Sequence, residues 1–232
     1  GAAGGTTVAG TGTSGSGSDQ LSSPSGVFAT NNGTVYIADA GNHRIQKWDA
    51  GATSGTTVAG NGTSGSSNNQ LNNPADVYLD PSGNIYIADK SNHRIQKWAA
   101  GATSGTTVAG TGTSGSANDQ LNNPTGIYVD GIGNLYITDV NNQRVQFWEP
   151  NATSGIMIAD HTMGSRPAPA PTGVALDSAG NMYMSDMAKN YVLRYAAALT
   201  DTLLVITPAT YKLVTRGFDG CAASDSLYVV VL

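Results

Sequence analysis

Asn84-Ile85-Tyr86-Ile87-Ala88-Asp89-Lys90-Ser91-Asn92-His93-Arg94-Ile95-Gln96-Lys97-Trp98 is the stretch whose reading decides the fold, because it recurs. Fifty residues earlier the chain has Thr34-Val35-Tyr36-Ile37-Ala38-Asp39, then Asn42-His43-Arg44-Ile45-Gln46-Lys47-Trp48. Fifty residues later it has Asn134-Leu135-Tyr136-Ile137-Thr138-Asp139, then Asn142-Gln143-Arg144-Val145-Gln146-Phe147-Trp148. A fourth, weaker copy reads Asn181-Met182-Tyr183-Met184-Ser185-Asp186, followed by Tyr191-Val192-Leu193-Arg194-Tyr195. Residues 51–100 and 101–150 are identical at 32 of 50 positions, loops included. A fixed period of this length marks a repeat architecture and overrides any local reading.

Each unit carries four short runs of strand chemistry. In the second, Asp76-Val77-Tyr78-Leu79-Asp80 is ended by Pro81-Ser82-Gly83-Asn84, which has the proline and glycine a hairpin turn asks for. Ile85-Tyr86-Ile87-Ala88 follows, rich in β-formers, then a turn, Arg94-Ile95-Gln96-Lys97-Trp98, another turn, and Thr106-Thr107-Val108-Ala109. No apolar spacing in the unit has a helical period. Four antiparallel strands per repeat and no helices predict an all-β fold of propeller blades. Complete blades are expected at 26–60, 76–110, 126–160 and 173–207. Thr6-Thr7-Val8-Ala9-Gly10 then stands as a fourth strand without a blade, and an unpaired edge invites aggregation. The reading therefore closes a composite fifth blade from residues 1–10 and a divergent C-terminal segment, 208–232, where Leu227-Tyr228-Val229-Val230-Val231 supplies a strand. Tyr211 to Thr215 offers another, and a piece of a six-bladed ring is the alternative. The chain opens on Gly1 with no Met, which suggests a processed chain or part of a longer one.

Between blades run Gly/Ser/Thr/Asn tracts that look like linkers by composition. Each ends on the same anchor, Gln20-Leu21 with Pro24, Gln70-Leu71 with Pro74, Gln120-Leu121 with Pro124, so ordered loops pinned by a tucked leucine are expected, all on one face. Only 12% of residues are charged and the net charge is −5, without a Lys/Arg stripe, so nucleic acid and anionic membrane are poor partners. No apolar run reaches the length of a membrane span. Cys221 is the sole cysteine, which leaves no internal disulfide and no cysteine metal site; a small packed thiol is the plain reading.

The run Gly-Asn-x-Tyr-Ile-Ala-Asp-x-x-Asn-His-Arg-Ile-Gln resembles the NHL repeat, and Asn123 to Asp130 resembles its opening. The resemblance spans residues 1 to about 195, erodes in the fourth copy, where Tyr191 and Tyr195 replace the arginine and tryptophan, and ends after Pro208. It implies a propeller, typically six-bladed, acting as an interaction platform. A few relatives are enzymes, among them the amidating lyase of peptide hormones and gluconolactonase-like and strictosidine synthase-like propellers.

Several residue sets are weighed for chemistry. Asp39, Asp89 and Asp139 each precede Arg44, Arg94 and Arg144 by five residues across a tight turn. A catalytic pair is conceivable, but three successive copies read as a structural inter-blade network of charge-assisted hydrogen bonds. His43 and His93 share that turn, Gln143 takes their place in the third copy, and His161 lies outside it. No HExxH, cysteine cluster or Ser/His/Asp set can be assembled, so no catalytic residue, metal ligand or cofactor is expected and the chain is read as no enzyme. Asp80, Asp130 and Asp177 could hold Ca²⁺ or cap the turns after them, and capping is the reading taken. Trp48, Trp98 and Trp148, with Tyr36, Tyr86, Tyr136 and Tyr183, could stack on sugar, yet blades need large side chains between them. Sequons at Asn32, Asn61 and Asn151 fall in turns or loops and are the possible N-glycosylation sites. The function expected is a non-catalytic extracellular interaction propeller, taking protein or glycan through its polar loops. Alternatives are a self-assembling protomer of a filament, sheath or matrix and, last, a lyase- or lactonase-type enzyme.

Overall fold

The structure, a computed structural model, describes residues 4–160, 170–197 and 218–219. Its strands form four four-stranded antiparallel sheets. Blade one comprises β1 (Pro24–Ala29), β2 (Val35–Asp39), β3 (Arg44–Trp48) and β4 (Thr56–Ala59). Blade two comprises β5 (Asp76–Leu79), β6 (Ile85–Asp89), β7 (Arg94–Trp98) and β8 (Thr106–Ala109). Blade three follows with β9 (Pro124–Val129), β10 (Leu135–Asp139), β11 (Arg144–Trp148) and β12 (Ile156–Asp160). Blade four holds β13 (Pro171–Leu176), β14 (Met182–Asp186), β15 (Tyr191–Ala197) and β16 (Phe218–Asp219). β1, β5, β9 and β13 neighbour one another in succession, so the first strand of each blade lies innermost in the propeller.

Strand alternation explains how the blades stack. In blades two and three one face is turned to the blade before and the other to the blade after. Ala38, Ile45 and Ala59 of blade one meet Val77, Leu79, Ile85, Ile87 and Trp98 of blade two. Tyr86, Ala88, Ile95 and Ala109 of blade two then meet Ile127, Val129, Leu135, Ile137 and Trp148 of blade three. Tyr136, Val145 and Ala159 meet Met182, Met184 and Tyr195 at the third seam. Covered on both sides, β6 and β10 are buried along their whole length, which is why these runs read as continuous rather than alternating apolar sequence.

The Gly/Ser loops are wedges at these seams. Leu71 and Leu121 are fully buried, as the anchor pattern led one to expect. Each loop also runs down the flank of its blade, since Ser18 O accepts the Gly55 N–H (2.7 Å), and Asn68 and Asn118 repeat the contact on Gly105 and Gly155 (both 2.8 Å).

The fourth blade departs from expectation. Its outer ladder partner is β16, paired through Ala196↔Asp219 and Ala197↔Phe218, and so lies beyond the expected limit of residue 207 and within the segment assigned to closure. The reason is visible in β15. After Trp48, Trp98 and Trp148 the chain turns at Asp49-Ala50-Gly51, Ala99-Ala100-Gly101 and Glu149-Pro150-Asn151, where Gly51, Gly101 and Asn151 take positive φ. After Tyr195 come Ala196 and Ala197 with no such residue, and the strand runs on. Residues 4–10 join no ladder. Their expected partner Leu227–Val231, and also Tyr211–Thr215, His161 and Cys221, lie outside the described residues.

Candidate functional site

The repeated Asp-x-x-Asn-x-Arg set is built by a tight turn between the second and third strands. Asp39 enters a 3-10 turn, Ala40–Asn42, and His43 leaves it in the left-handed region at φ 54°. The same turn follows Asp89 and Asp139. This brings Arg44 Nε to 2.7 Å from Asp39 Oδ2, Arg94 Nε to 2.8 Å from Asp89 Oδ2, and Arg144 Nε to 2.7 Å from Asp139 Oδ2. All three carboxylates are wholly buried.

The guanidinium then reaches across the chain. Arg44 donates to the carbonyls of Ser16, Gly17 and Gln20, at 3.0 to 3.1 Å. Arg144 does the same to Ser116, Ala117 and Gln120, and Arg94 to Ser66 and Gln70. Asn42, Asn92 and Asn142 each link their own carboxylate to Gly15, Gly65 or Gly115 O. The second carboxylate oxygen accepts the N–H of Ser22, Asn72 or Asn122. Every donor of the set is thus turned inward and lashes the wedge loop to its blade. For Asp89 and Asp139, burial pushes the carboxyl up from its ordinary value, opposed by the Asn side chain, the loop N–H and the arginine.

The second carboxylate series caps turns. Asp80 Oδ1 accepts the N–H groups of Ser82 and Asn84, and Oδ2 takes Asn84 Nδ2 at 2.7 Å. Asp130 and Asp177 repeat the pattern on their own turns. Burial opposes ionisation of Asp80, but these hydrogen bonds hold its carboxyl below the usual range. Asn181, at Asp177, does the same for that group.

The tryptophans are packing groups: Trp98 and Trp148 are buried at the first and second seams, and Trp48 is buried against Gly55 of its own blade. A different aromatic row, absent from the sequence reading, lines the innermost strands. Phe28, Tyr78 and Tyr128 stand one per blade in edge-to-face contact, with centroids 5.0 and 5.2 Å apart. Burial and the neighbouring Tyr128 push Tyr78 up to about 12. Asn32, Asn61 and Asn151 are exposed, each in a turn or loop.

Two further features escaped sequence reasoning. At the end opposite the Arg-bound turns, a groove of about 730 Å³ opens between blades two and three. Its walls include Tyr86, Lys97, Asp80, Glu149, Asn151 and Ile132. In blade one Lys47 pairs with Asp49 at 2.9 Å; blade two has Ala99 at that place, and the Lys97 ammonium lies over the Tyr86 ring, 5.1 Å from its centroid. The second feature is Asp76, which stands where the other blades have Gly26, Gly126 and Gly173. It reaches across the seam to accept the Ile127 N–H (3.1 Å) while taking that of Val77 (2.9 Å). That single break in the Pro-x-Gly pattern was the available signal.

Burial raises the Asp76 carboxyl to about 6 from an unfolded value of 3.8. The folded chain therefore binds this proton more tightly, and the group adds stability as pH falls through 6 towards 4. Between pH 7 and pH 5 it contributes about 1 kcal/mol, or a few degrees in Tm. Asp76→Asn removes that increment. A calorimetric pH series on both proteins checks it, and parallel curves would show that Asp76 titrates normally.

Residues 21–48, 71–98 and 121–147 match the family model described as NHL repeat. A search of curated proteins found no match. Among solved structures, a streptogramin B lyase is similar at 14% identity over 78% of this chain and 56% of its own, with a TM-score of 0.53. An auxiliary nutrient binding protein from Bacteroides thetaiotaomicron is similar at 14% identity over 71% of this chain and 45% of its own, with a TM-score of 0.56. A chain of the nidogen/laminin complex is similar at 20% identity over 77% of both, with a TM-score of 0.52. The chain spans about half the length of the first two, and at these identities the likeness is one of fold. The three family matches fall on three successive four-stranded blades, so this part of the chain, residues 21–147, is built of NHL repeats folded as β-propeller blades.

Proposed function

We propose that this chain is a non-catalytic interaction propeller that works outside the cell and takes a protein or glycan on its wedge loops. The observation that carries the reading is the division of labour within each loop. Arg44, Arg94 and Arg144 draw loop carbonyls inward, while Thr11–Ser14, Asn61–Ser64 and Thr111–Ser114 remain exposed. Three blades thereby present the same small polar surface at a fixed spacing, pre-organised before any ligand arrives. Low charge suits hydroxyl- and amide-rich ligands over phosphate. The repeated ionic set is spent on the scaffold, which weighs against an enzyme built from it. Among the similar folds, one is described as nutrient-binding and one belongs to a nidogen/laminin complex. Among the described residues, no helix is long and apolar enough to cross a membrane.

Binding to immobilised extracellular proteins and to a glycan array tests the reading. Thr63→Arg with Thr113→Arg is expected to weaken any ligand found by tenfold or more, and Ile132→Arg, in the groove at the other end, to leave it unchanged. The reverse pattern would move the site to the groove.

A second reading, a self-assembling protomer, is favoured by one observation. Val27 on β1 is 64% exposed, whereas its counterparts Val77 and Ile127 are 2% and 3% exposed beneath the preceding blade. Light scattering separates the two: a particle near 23.6 kDa supports the single binding propeller, and large ordered species support assembly.

A further inference from the structure

We infer that His43 and His93 are acid-released clasps between blades. His43 Nδ1 lies 3.0 Å from the backbone nitrogen of Asn73, and His93 Nδ1 lies 3.2 Å from that of Asn123. Each bond crosses thirty residues of chain, from the turn that holds one blade's Asp–Arg pair to the start of the next blade's first strand. A backbone N–H can only donate, so the ring nitrogen facing it must offer a lone pair. The imidazole is therefore neutral, with its proton on Nε2. A second proton goes to Nδ1 and sets two donors head to head.

The local geometry makes the clasp exacting. His43 and His93 hold φ of 54° and 53°, and their acceptors' partners Asn73 and Asn123 hold 54° and 56°. Both ends are thus in a left-handed conformation that few residues adopt freely. The neighbouring charged groups do not supply a fresh counter-ion. Beside His43 stand Asp39 and Arg44, already paired, and across the seam Asp89, which holds Arg94 and the N–H of Asn72. Beside His93 stand Lys90 and the same Asp89–Arg94 pair, with Asp139 across the seam holding Arg144 and the N–H of Asn122. Asp76, at the same seam, acts with the opposite sign and is removed in the test background.

In the third blade Gln143 occupies the histidine position with φ 55°, so the turn accommodates a side chain that accepts a hydrogen bond without titrating. That supplies the experiment. In an Asp76→Asn background, thermal midpoints are measured from pH 7.5 to pH 5.5. The parent is expected to lose roughly 3–6 °C more than the His43→Gln/His93→Gln variant across that interval. Amide hydrogen exchange, corrected for intrinsic rates, should show Asn73 and Asn123 losing protection in the parent alone. Imidazole ¹⁵N shifts at pH 7.5 should report the Nε2–H tautomer for both rings. Equal pH slopes in the two proteins, or Nδ1–H tautomers, would overturn the inference. It stands apart from the proposed ligand face, because every readout is taken without a ligand.

Discussion

Asp89→Ala is expected to lower the thermal midpoint by on the order of 10 °C, the largest loss among single substitutions considered for this chain. The carboxylate is wholly buried and takes three donors: Arg94 Nε at 2.8 Å, Asn92 Nδ2 at 2.8 Å and the Asn72 N–H at 2.7 Å. Removing it strands a buried guanidinium and two further polar groups. Breaking a buried pair from one side costs about 3–5 kcal/mol, because the surviving charge remains desolvated. A propeller of this size loses roughly 2–4 °C per kcal/mol. Asp49→Ala provides the contrast. Its pair with Lys47 is similarly short, but the aspartate side chain is 66% exposed, so the midpoint should scarcely move. Thermal melts of the two variants check both statements. A small loss from Asp89→Ala would mean that water replaces the carboxylate and that the network is not what holds the loop.

Leu71→Ala is expected to cost about 2–5 kcal/mol, the range for emptying a fully buried leucine site. Leu71 is 0% exposed among Ala59, Val77 and Ile87 at the first seam, under the loop that Arg94 binds. Its Cδ1 also lies where a side chain on Gly60 would have to go, so the backbone around it has no slack to fill the cavity. Gly60 itself turns with φ of +76° against the carbonyl of His43. Leu21 occupies the same sequence position ahead of blade one but is only half-buried. Leu21→Ala should therefore cost less than half as much, and unfolding midpoints at constant m-value measure the difference. Equal costs would show that the leucines matter through their own loops rather than through the seams they fill.

The sequence by itself determined the fold class and the blade period, because those depend on local chemistry. Alternation along Val77-Tyr78-Leu79, the Pro81-Ser82-Gly83 turn and the Asp89-to-Arg94 hairpin are each legible within a few residues. For Asp39, Asp89 and Asp139 the repeated pair predicts an inter-blade network, whereas their hydrogen bonds and those of the arginines run to the loop ahead of the same blade. The fourth blade was not fully legible: β15 lacks the turn residue found after each tryptophan, and its partner β16 is more than twenty residues away. Tertiary structure alone decided what meets across a seam. Asp76 bonds to Ile127 over 51 residues, and His43 to Asn73 over 30. Which atoms face each other there follows from the twist and stagger of neighbouring blades. Side-chain periodicity within one blade records which face is covered, and carries no record of the atom that covers it.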